Sequence, residues 1–428
     1  MKKAQALTEF NNPLPAARSL ARFGSYARFM RSQLFAALES VTYGQLVIEE
    51  GFEGGERFRF GPADAELRAR ITINDPACYA QIALGGDIGA GESYMDGLWD
   101  AEDLEQVIRV FVGDDQLLER MEGRLSWLTR PLYRRLHSRR ANSKDQARRN
   151  ISAHYDLGNA FYSAWLDPSM MYSCAVFPDA EATLEQAQYL KLDMLLDSLE
   201  IQPGQRLLEI GTGWGSLAIR AAEKYGAMVT TTTISAEQAR YAREAVSARG
   251  LDDRITVLEH DYRDLEGRFD HVVSVEMIEA VGHEYFDTYF RQLDRLLTPQ
   301  GRAAIQAITM VDQNYEQYRR STDFINQYIF PGGCLPSITA LQDAATRNSS
   351  LRLARLQDIG LHYARTLREW RQNLAANLDR LPEENREPSF LRMWDYYLMS
   401  CAGAFAERRI STVQLLYTKR QADVEALD

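Results

Sequence analysis

The stretch Leu207-Leu-Glu-Ile-Gly-Thr-Gly-Trp-Gly215 holds the residues whose types and spacing point most directly to chemistry. Its three alternating glycines, Gly211, Gly213 and Gly215, let the backbone turn sharply and approach a ligand without a Cβ in the way. An acid, Glu209, stands two residues before the first glycine. A helical pattern follows, and its free N–H groups and partial positive charge face the loop. The spacing is G-x-G-x-G, not the dinucleotide G-x-G-x-x-G. It favours a nucleoside with an amino-acid tail, S-adenosylmethionine, over NAD. A glycine-rich turn without a ligand is the bland alternative, and the acid and flanking pattern argue against it. A second acid, Glu279, lies in an apolar stretch (MIEAV), where burial without a partner would be costly.

These residues need a scaffold, and the chain supplies a pattern for one. Leu207, Leu208 and Ile210 end a strand. Further strands are expected over Met228–Ile234, Ile255–Leu258, Phe269–Val275 and within Gly301–Met310. Helices are expected over Ala182–Leu199, Ser216–Tyr225 (stopped by Gly226), Ser235–Gly250 and Tyr285–Leu297. Ser235-Ala-Glu-Gln238 reads as a capping box. Strands alternating with helices at this spacing imply an α/β fold: a mostly parallel, doubly wound sheet with helices on both faces. Ligands of such sheets lie at the carboxyl ends of the strands, near the switch point. The glycine block and Gln238 both fall there.

The N-terminal part reads differently. A helix is expected over Ala16–Leu38, then short β-rich runs at Gln45–Glu50, Arg57–Phe60 and Arg68–Ile73. A helix starts at Asp75-Pro76 and breaks at Gly85-Gly86. Ile88–Trp99 reads as a glycine-rich connection. Ala101–Val112 is an amphipathic helix with Leu104, Val107, Ile108 and Phe111 on one face. The expected domains are a small α+β domain over 1–122, a basic linker over 123–150 and a catalytic domain over 151–428.

The chain has 428 residues, 45% of them hydrophobic and 25% charged, an ordinary globular composition. Cys78, Cys174, Cys334 and Cys401 are scattered without a C-x-x-C pair, so neither a metal site nor a disulfide framework is expected. Met1–Pro15 lacks the apolar core of a signal peptide. No apolar run reaches the ~18 residues of a membrane span. The net charge is −11, yet between Arg124 and Arg149 nine basic residues face one acid, with Trp127, Leu132 and Tyr133 among the apolar residues interleaved. Such a stretch suits anionic lipid headgroups; the alternatives are a solvated helix or nucleic acid, for which no recognised module is present.

The sequence resembles the cyclopropane-fatty-acyl-phospholipid synthases and their mycolic-acid-modifying relatives. The blocks that carry the resemblance are GESYMDGLW (91–99), HYDLGN (154–159), YSCA (172–175), LLEIGTGWG (207–215), TISAEQ (233–238), DYRDL (261–265), VEMIEAVG (275–282), YIFPGGCLPS (328–337) and YYLMSCAGAF (396–405). The resemblance implies a Rossmann-like class I methyltransferase fold with a small N-terminal lipid-engaging domain. It implies methyl transfer from S-adenosylmethionine to a cis double bond of phospholipid acyl chains, then proton loss that closes a cyclopropane ring. Tyr172, Ser173, Leu207, Glu209, Gly211, Gly213, Trp214, Gly215, Thr233, Ile234, Gln238, Tyr262 and Arg263 are the implied cofactor contacts. The usual ribose-binding acid is absent; Thr233 and Gln238 stand in its region.

For the proton, the resemblance implies a bound bicarbonate held by Cys174, Glu279, Tyr363 and the backbone of Ile308. The family's histidine falls on Gln306, which donates a hydrogen bond but takes no proton at neutral pH. Ala280 also replaces a common histidine, and His362 is a candidate to compensate. Cys401 matches an active-site cysteine, with a buried packing residue as the plain alternative. Three readings follow: cyclopropane formation, a methyl- or methylene-branched product because of Gln306 and Ala280, and a non-catalytic lipid-binding relative. A soluble amine methyltransferase is disfavoured by Cys174 and Glu279. A homodimer and a cytoplasmic location on the inner membrane face complete the expectations.

Overall fold

The computed structural model describes residues 24–115, 117 and 157–419. The basic segment, the start of the chain and the histidine of HYDLGN lie outside the described residues. The chain divides into two compact units, and the first gathers its N-terminal part with Ser321–Ile329 and Leu367–Arg409. The second holds the remainder. Division by contact therefore differs from the expected division by sequence: two C-terminal segments group with the N-terminal residues. Their apolar faces, such as Leu391, Trp394, Leu398 and Met399 of the Pro388–Ala406 helix, are buried, and such faces must be covered by another element.

In the first unit, β1 (Gln45–Glu50), β2 (Arg57–Phe60), β3 (Arg68–Ile73) and β4 (Trp99–Ala101) form a sheet in the order β2-β1-β3-β4. Ile88–Met95, expected as a connection, is helical. Gly86 (φ 59°, ψ −134°) leaves the helical conformation and divides Ala77–Met95 into two helices across a kink, at the expected break. Gly91 serves close packing: a Cβ there would stand 2.2 Å from the Phe324 ring. In the Leu104–Val112 helix, Val110 is buried with Leu104 and Val107, and Phe111 is only half-buried.

The second unit carries the sheet that matters for function. It comprises β5 (Arg206–Ile210), β6 (Met228–Thr232), β7 (Ile255–Leu258), β8 (Phe269–Val275), β9 (Leu297–Met310), β10 (Arg352–Asp358) and β11 (Ile410–Thr418). The order is β10-β11-β9-β8-β5-β6-β7. Strands β5 to β9 are parallel, and β11 runs antiparallel between β9 and β10. Alternation explains the two cores. Leu207, Val273 and Ala304 face a cluster with Leu192, Leu196 and Leu217, whereas Leu208, Val272 and Ala303 face one with Phe290, Leu293 and Leu296. Side chains of a strand point alternately to opposite faces, so each strand builds both.

Helix signals are read partly as expected. Gly226 stops the Ser216–Tyr225 helix in the left-handed conformation. Thr183 and Gln186 form a reciprocal capping box ahead of Leu184–Leu199. At Ser235 half of the expected box forms: Ser235 accepts from the Gln238 N–H, but the Gln238 side chain turns to Thr233. No described helix is long and apolar enough to cross a membrane.

Candidate active site

Strand order reverses between β5 and β8, so the carboxyl ends of these two neighbours form the switch point. The glycine loop leaves β5 there. Gly211, Gly213 and Gly215 have φ of 101°, 51° and 95°, a region that L side chains rarely adopt. A Cβ at Gly215 would stand 3.2 Å from the Ala242 Cβ, so that glycine lets the helices pack. At Gly213 no atom lies within 4 Å of the Cβ position. This open cradle beside the N-terminus of a ten-residue helix fits the amino-acid end of S-adenosylmethionine.

The other implied cofactor contacts divide. Trp214 donates from Nε1 to Asn159 Oδ1 at 2.7 Å and its ring lies 5.2 Å from Tyr162. Tyr172 packs against Tyr162, Trp165 and Phe330, giving this side of the loop an aromatic wall. Thr233 donates to Gln238 Oε1 at 2.9 Å, which fixes the polar end of β6, with Ile234 half-buried beside it. The Tyr262 hydroxyl is buried with no hydrogen-bond partner. Arg263 is clamped on Asp261 at 2.6 Å and 2.8 Å. Leu207 is a correction: its side chain is in the core and its backbone is paired with β6 and β8, which leaves nothing for a ligand. Glu209 is buried too and accepts from Thr231 Oγ1 at 2.6 Å. Burial pushes its carboxyl up to about 8.

At the end of β8 the structure places two acids, of which sequence reasoning named one. Glu276, the first residue after β8, accepts at Oε1 from the Cys174 N–H (2.9 Å) and from Gln306 Nε2 (2.8 Å). Its Oε2 accepts from the Tyr363 hydroxyl at 2.7 Å. Register explains the meeting: Val275 pairs with Gln306, and the Glu276 N–H donates to the Gln306 carbonyl at 2.8 Å. Glu279, on the next turn, accepts from the Ile308 N–H at 2.5 Å. Its Oε2 is buried without a hydrogen-bond partner. Burial, and then the neighbouring Glu276 charge, push Glu279 up to about 8.

The surroundings of Glu276 are polar and buried. Burial raises its carboxyl, while Lys191, the Cys174 N–H, Tyr363 and Gln306 work against the rise. Lys191 donates to Ser173 Oγ at 2.5 Å, and burial lowers its ammonium to about 8. Gln414, opposite Gln306 on β11, donates from Nε2 to Gln306 Oε1 at 3.0 Å, so the Gln306 amide presents its NH2 to Glu276. The Cys174 thiol faces the Ala175 carbonyl at 3.2 Å, and burial raises it well above the usual thiol range. Cys174 thus contributes its backbone, not a thiolate.

Two expected members have partners of their own. His362 accepts at Nδ1 from the Phe177 N–H at 3.3 Å and stacks on that ring, so it does not compensate for the missing histidine. Cys401 belongs to the first unit, on the Pro388–Ala406 helix, where burial raises its thiol, followed by the charges of Asp323 and Asp87. The donors expected to hold bicarbonate are engaged already: the Ile308 N–H by Glu279, and Gln306, Tyr363 and the Cys174 N–H by Glu276. A further anion would meet two half-buried acids and none of these donors free. The residues present do not fit a bound bicarbonate.

The profile of the mycolic acid cyclopropane synthetases matches residues 142–415. The chain belongs to this family. The tuberculostearic acid methyltransferase UfaA1 of Mycobacterium tuberculosis is 42% identical over 363 residues, covering 83% of this chain and 84% of that protein. The cyclopropane-fatty-acyl-phospholipid synthase of Escherichia coli K12 is 38% identical over 363 residues, covering 84% and 89%. Among solved structures, the mycolic acid cyclopropane synthase CmaA1 complexed with SAH and CTAB superposes with a TM-score of 0.58 at 34% identity, covering 64% of this chain and 98% of that one. Family membership makes the chain an S-adenosylmethionine-dependent methyltransferase with a Rossmann-like class I fold. The structure, not the family match, places the residues that the motifs do not mark. Glu276, Lys191 and Gln414 hold the polar centre of the site, and the signal available for Glu276 was a second acid in the same short apolar stretch.

Proposed function

We propose that this chain transfers a methyl group from S-adenosylmethionine to the cis double bond of unsaturated phospholipid acyl chains and closes a cyclopropane ring. The observation that carries the reading is the pair of half-buried acids, Glu276 and Glu279, at the strand end beside the glycine loop. Bound S-adenosylmethionine supplies an electrophilic methyl. An alkene is a weak nucleophile, so the chain must align the reactants and exclude water. The Gly213 cradle and Trp214 orient the donor, and the aromatic wall offers rings that favour a cation without attacking it. An electron-poor carbon chain then needs a proton acceptor, and a carboxylate suits that task. The name and similarity of the Escherichia coli relative support the substrate class.

A second reading has its own support. The relative at 42% identity is named for tuberculostearic acid, and Gln306 stands at the family's histidine position. Loss of a proton from a chain carbon would then give a branched, unsaturated product instead of a ring. Purified protein, labelled S-adenosylmethionine and vesicles of unsaturated phospholipid test both. Mass spectrometry of the acyl chains should show one added carbon, and no addition would dismiss both. Proton NMR should show upfield ring protons, and their absence would leave the branched product. A non-catalytic role has no support from the open cofactor cradle.

The basic stretch Arg124–Arg149 supports peripheral attachment to an anionic membrane surface, from the cytoplasmic side of the inner membrane. A homodimer is part of the same proposal. Replacing Arg134, Arg135, Arg139 and Arg140 by Gln should weaken binding to anionic vesicles by about 1 kcal/mol per charge and leave neutral vesicles unaffected. Equal binding in a flotation assay would return the stretch to a solvated segment.

A further inference from the structure

We propose that Glu276 is the base that takes the last proton, so that the chain carries its own carboxylate where the family resemblance places bicarbonate. The inference rests on the acyl-chain reading above. Convergence is its main support. A loop, a strand and a helix each send one donor to Glu276: the Cys174 N–H at 2.9 Å, Gln306 Nε2 at 2.8 Å and the Tyr363 hydroxyl at 2.7 Å. A carboxylate offers about four acceptor positions. Three are filled by donors that favour the ionised form, and one remains for a proton.

The backbone points the same way. Glu276 has φ 47°, in the left-handed region, and only three other non-glycine residues described share a positive φ. For a residue with a Cβ this conformation costs about 1–2 kcal/mol. Its N–H bond to the Gln306 carbonyl would form with any residue, glycine included. The strain is therefore held for the side chain. Strain of this kind, over-determined by its surroundings, collects at functional sites.

Gln306 completes the logic. It cannot take a proton, but Gln414 fixes its amide as a donor to Glu276. A neutral donor beside a carboxylate replaces a histidine beside an anion. Glu279, pushed up to about 8, is largely neutral at pH 7 and adds little charge to the same corner. Lys191, buried near Glu276, offsets the charge that remains.

The step balances without another reactant. The S–CH3 bond breaks as a new C–C bond forms at one alkene carbon, leaving the other carbon cationic. A C–H bond of the added methyl then breaks. Its electron pair closes the third side of the ring, and the proton goes to a Glu276 oxygen, giving a neutral acid that returns the proton to solvent after product leaves.

The experiment compares wild type, Glu276→Gly and Glu276→Gln in buffer freed of carbon dioxide, with and without added bicarbonate. Glycine accepts φ 47° without strain, so Glu276→Gly should fold, and S-adenosylmethionine affinity within about threefold of wild type by calorimetry would show it. Wild-type turnover should be indifferent to bicarbonate. Glu276→Gly should lose about a hundredfold or more and regain part of it with bicarbonate or formate, whereas Glu276→Gln should lose as much and regain nothing. The arm that needs no acyl substrate is carbon-13 NMR of labelled bicarbonate: Glu276→Gly should bind it and wild type should not. Wild-type binding of bicarbonate, a wild-type rate that depends on it, or full activity of Glu276→Gln would overturn the proposal. A wild type that adds no carbon to any acyl chain would instead overturn the substrate reading, with the NMR arm still deciding what Glu276 replaces.

Discussion

The ends of β5 and β8 lie side by side and use the same backbone conformation for opposite ends. After β5 the positive φ angles fall on Gly211, Gly213 and Gly215, where they cost little and leave room for a ligand. After β8 the positive φ falls on Glu276, whose side chain fills the space that a glycine would leave open. One strand end is shaped by removing atoms, the other by holding a strained residue for the sake of its carboxylate. The first kind of site follows the family pattern closely. The second kind is built around an acid that the family blocks do not mark.

The contrast can be broken most forcefully at the second strand end. Glu276→Gln should lower turnover by roughly a hundredfold or more, with cofactor affinity nearly unchanged. If affinity fell in parallel, the two strand ends would be one structural unit and not two functions. At the first end, Gly213→Ala puts a methyl into the open cradle at φ 51°. Cofactor binding should weaken about tenfold or more, while turnover at saturating cofactor changes little. Unchanged binding in calorimetry would move the cofactor away from Gly213.

Each end also carries a buried acid, which makes stability depend on pH. Glu209 and Glu279 both sit near 8 in the fold, against an ordinary value near 4.5. Between those values the folded chain holds protons that the unfolded chain has released, so stability should fall as pH rises from about 5 to 8. Lys191, lowered to about 8, acts oppositely only above that window. Glu209→Gln should flatten the fall by up to about 1.4 kcal/mol per pH unit in denaturant titrations without cofactor. An unaltered slope would mean that Glu209 is already ionised. The smallest effect concerns backbone alone: Glu276→Gly should be more stable than Glu276→Ala by about 1 kcal/mol, since neither has a carboxylate and only alanine keeps the strain. Equal stabilities would remove the strain argument.

The scaffold was legible because β5 to β8 are short apolar or β-branched runs separated by glycine and capping signals, and each is set by local sequence. Ile88–Met95 does not read as a helix because its glycines serve close packing, Gly89 against the Gln81 backbone and Gly91 against Phe324, a partner far away in sequence. The glycine loop was legible from spacing alone. Glu276 was not, since its meaning depends on a φ angle and on three donors from distant parts of the chain. Matching family positions drew attention to Glu279, and an acid three residues earlier gave no pattern of its own. Cys174 was placed in the site correctly, but sequence could not tell that its N–H, not its sulfur, faces the centre.

The position of β11 between β9 and β10 sets an order of assembly. Gln414 orients Gln306 across 108 residues of sequence, and no earlier strand can supply that contact. On a ribosome the glycine loop would emerge some two hundred residues before the strand that steadies the site around the acid. A nascent chain can therefore reach a stage with its donor-binding loop already made and its proton-handling corner still open. The glycine loop is synthesised before the strand that fixes the Gln306 amide.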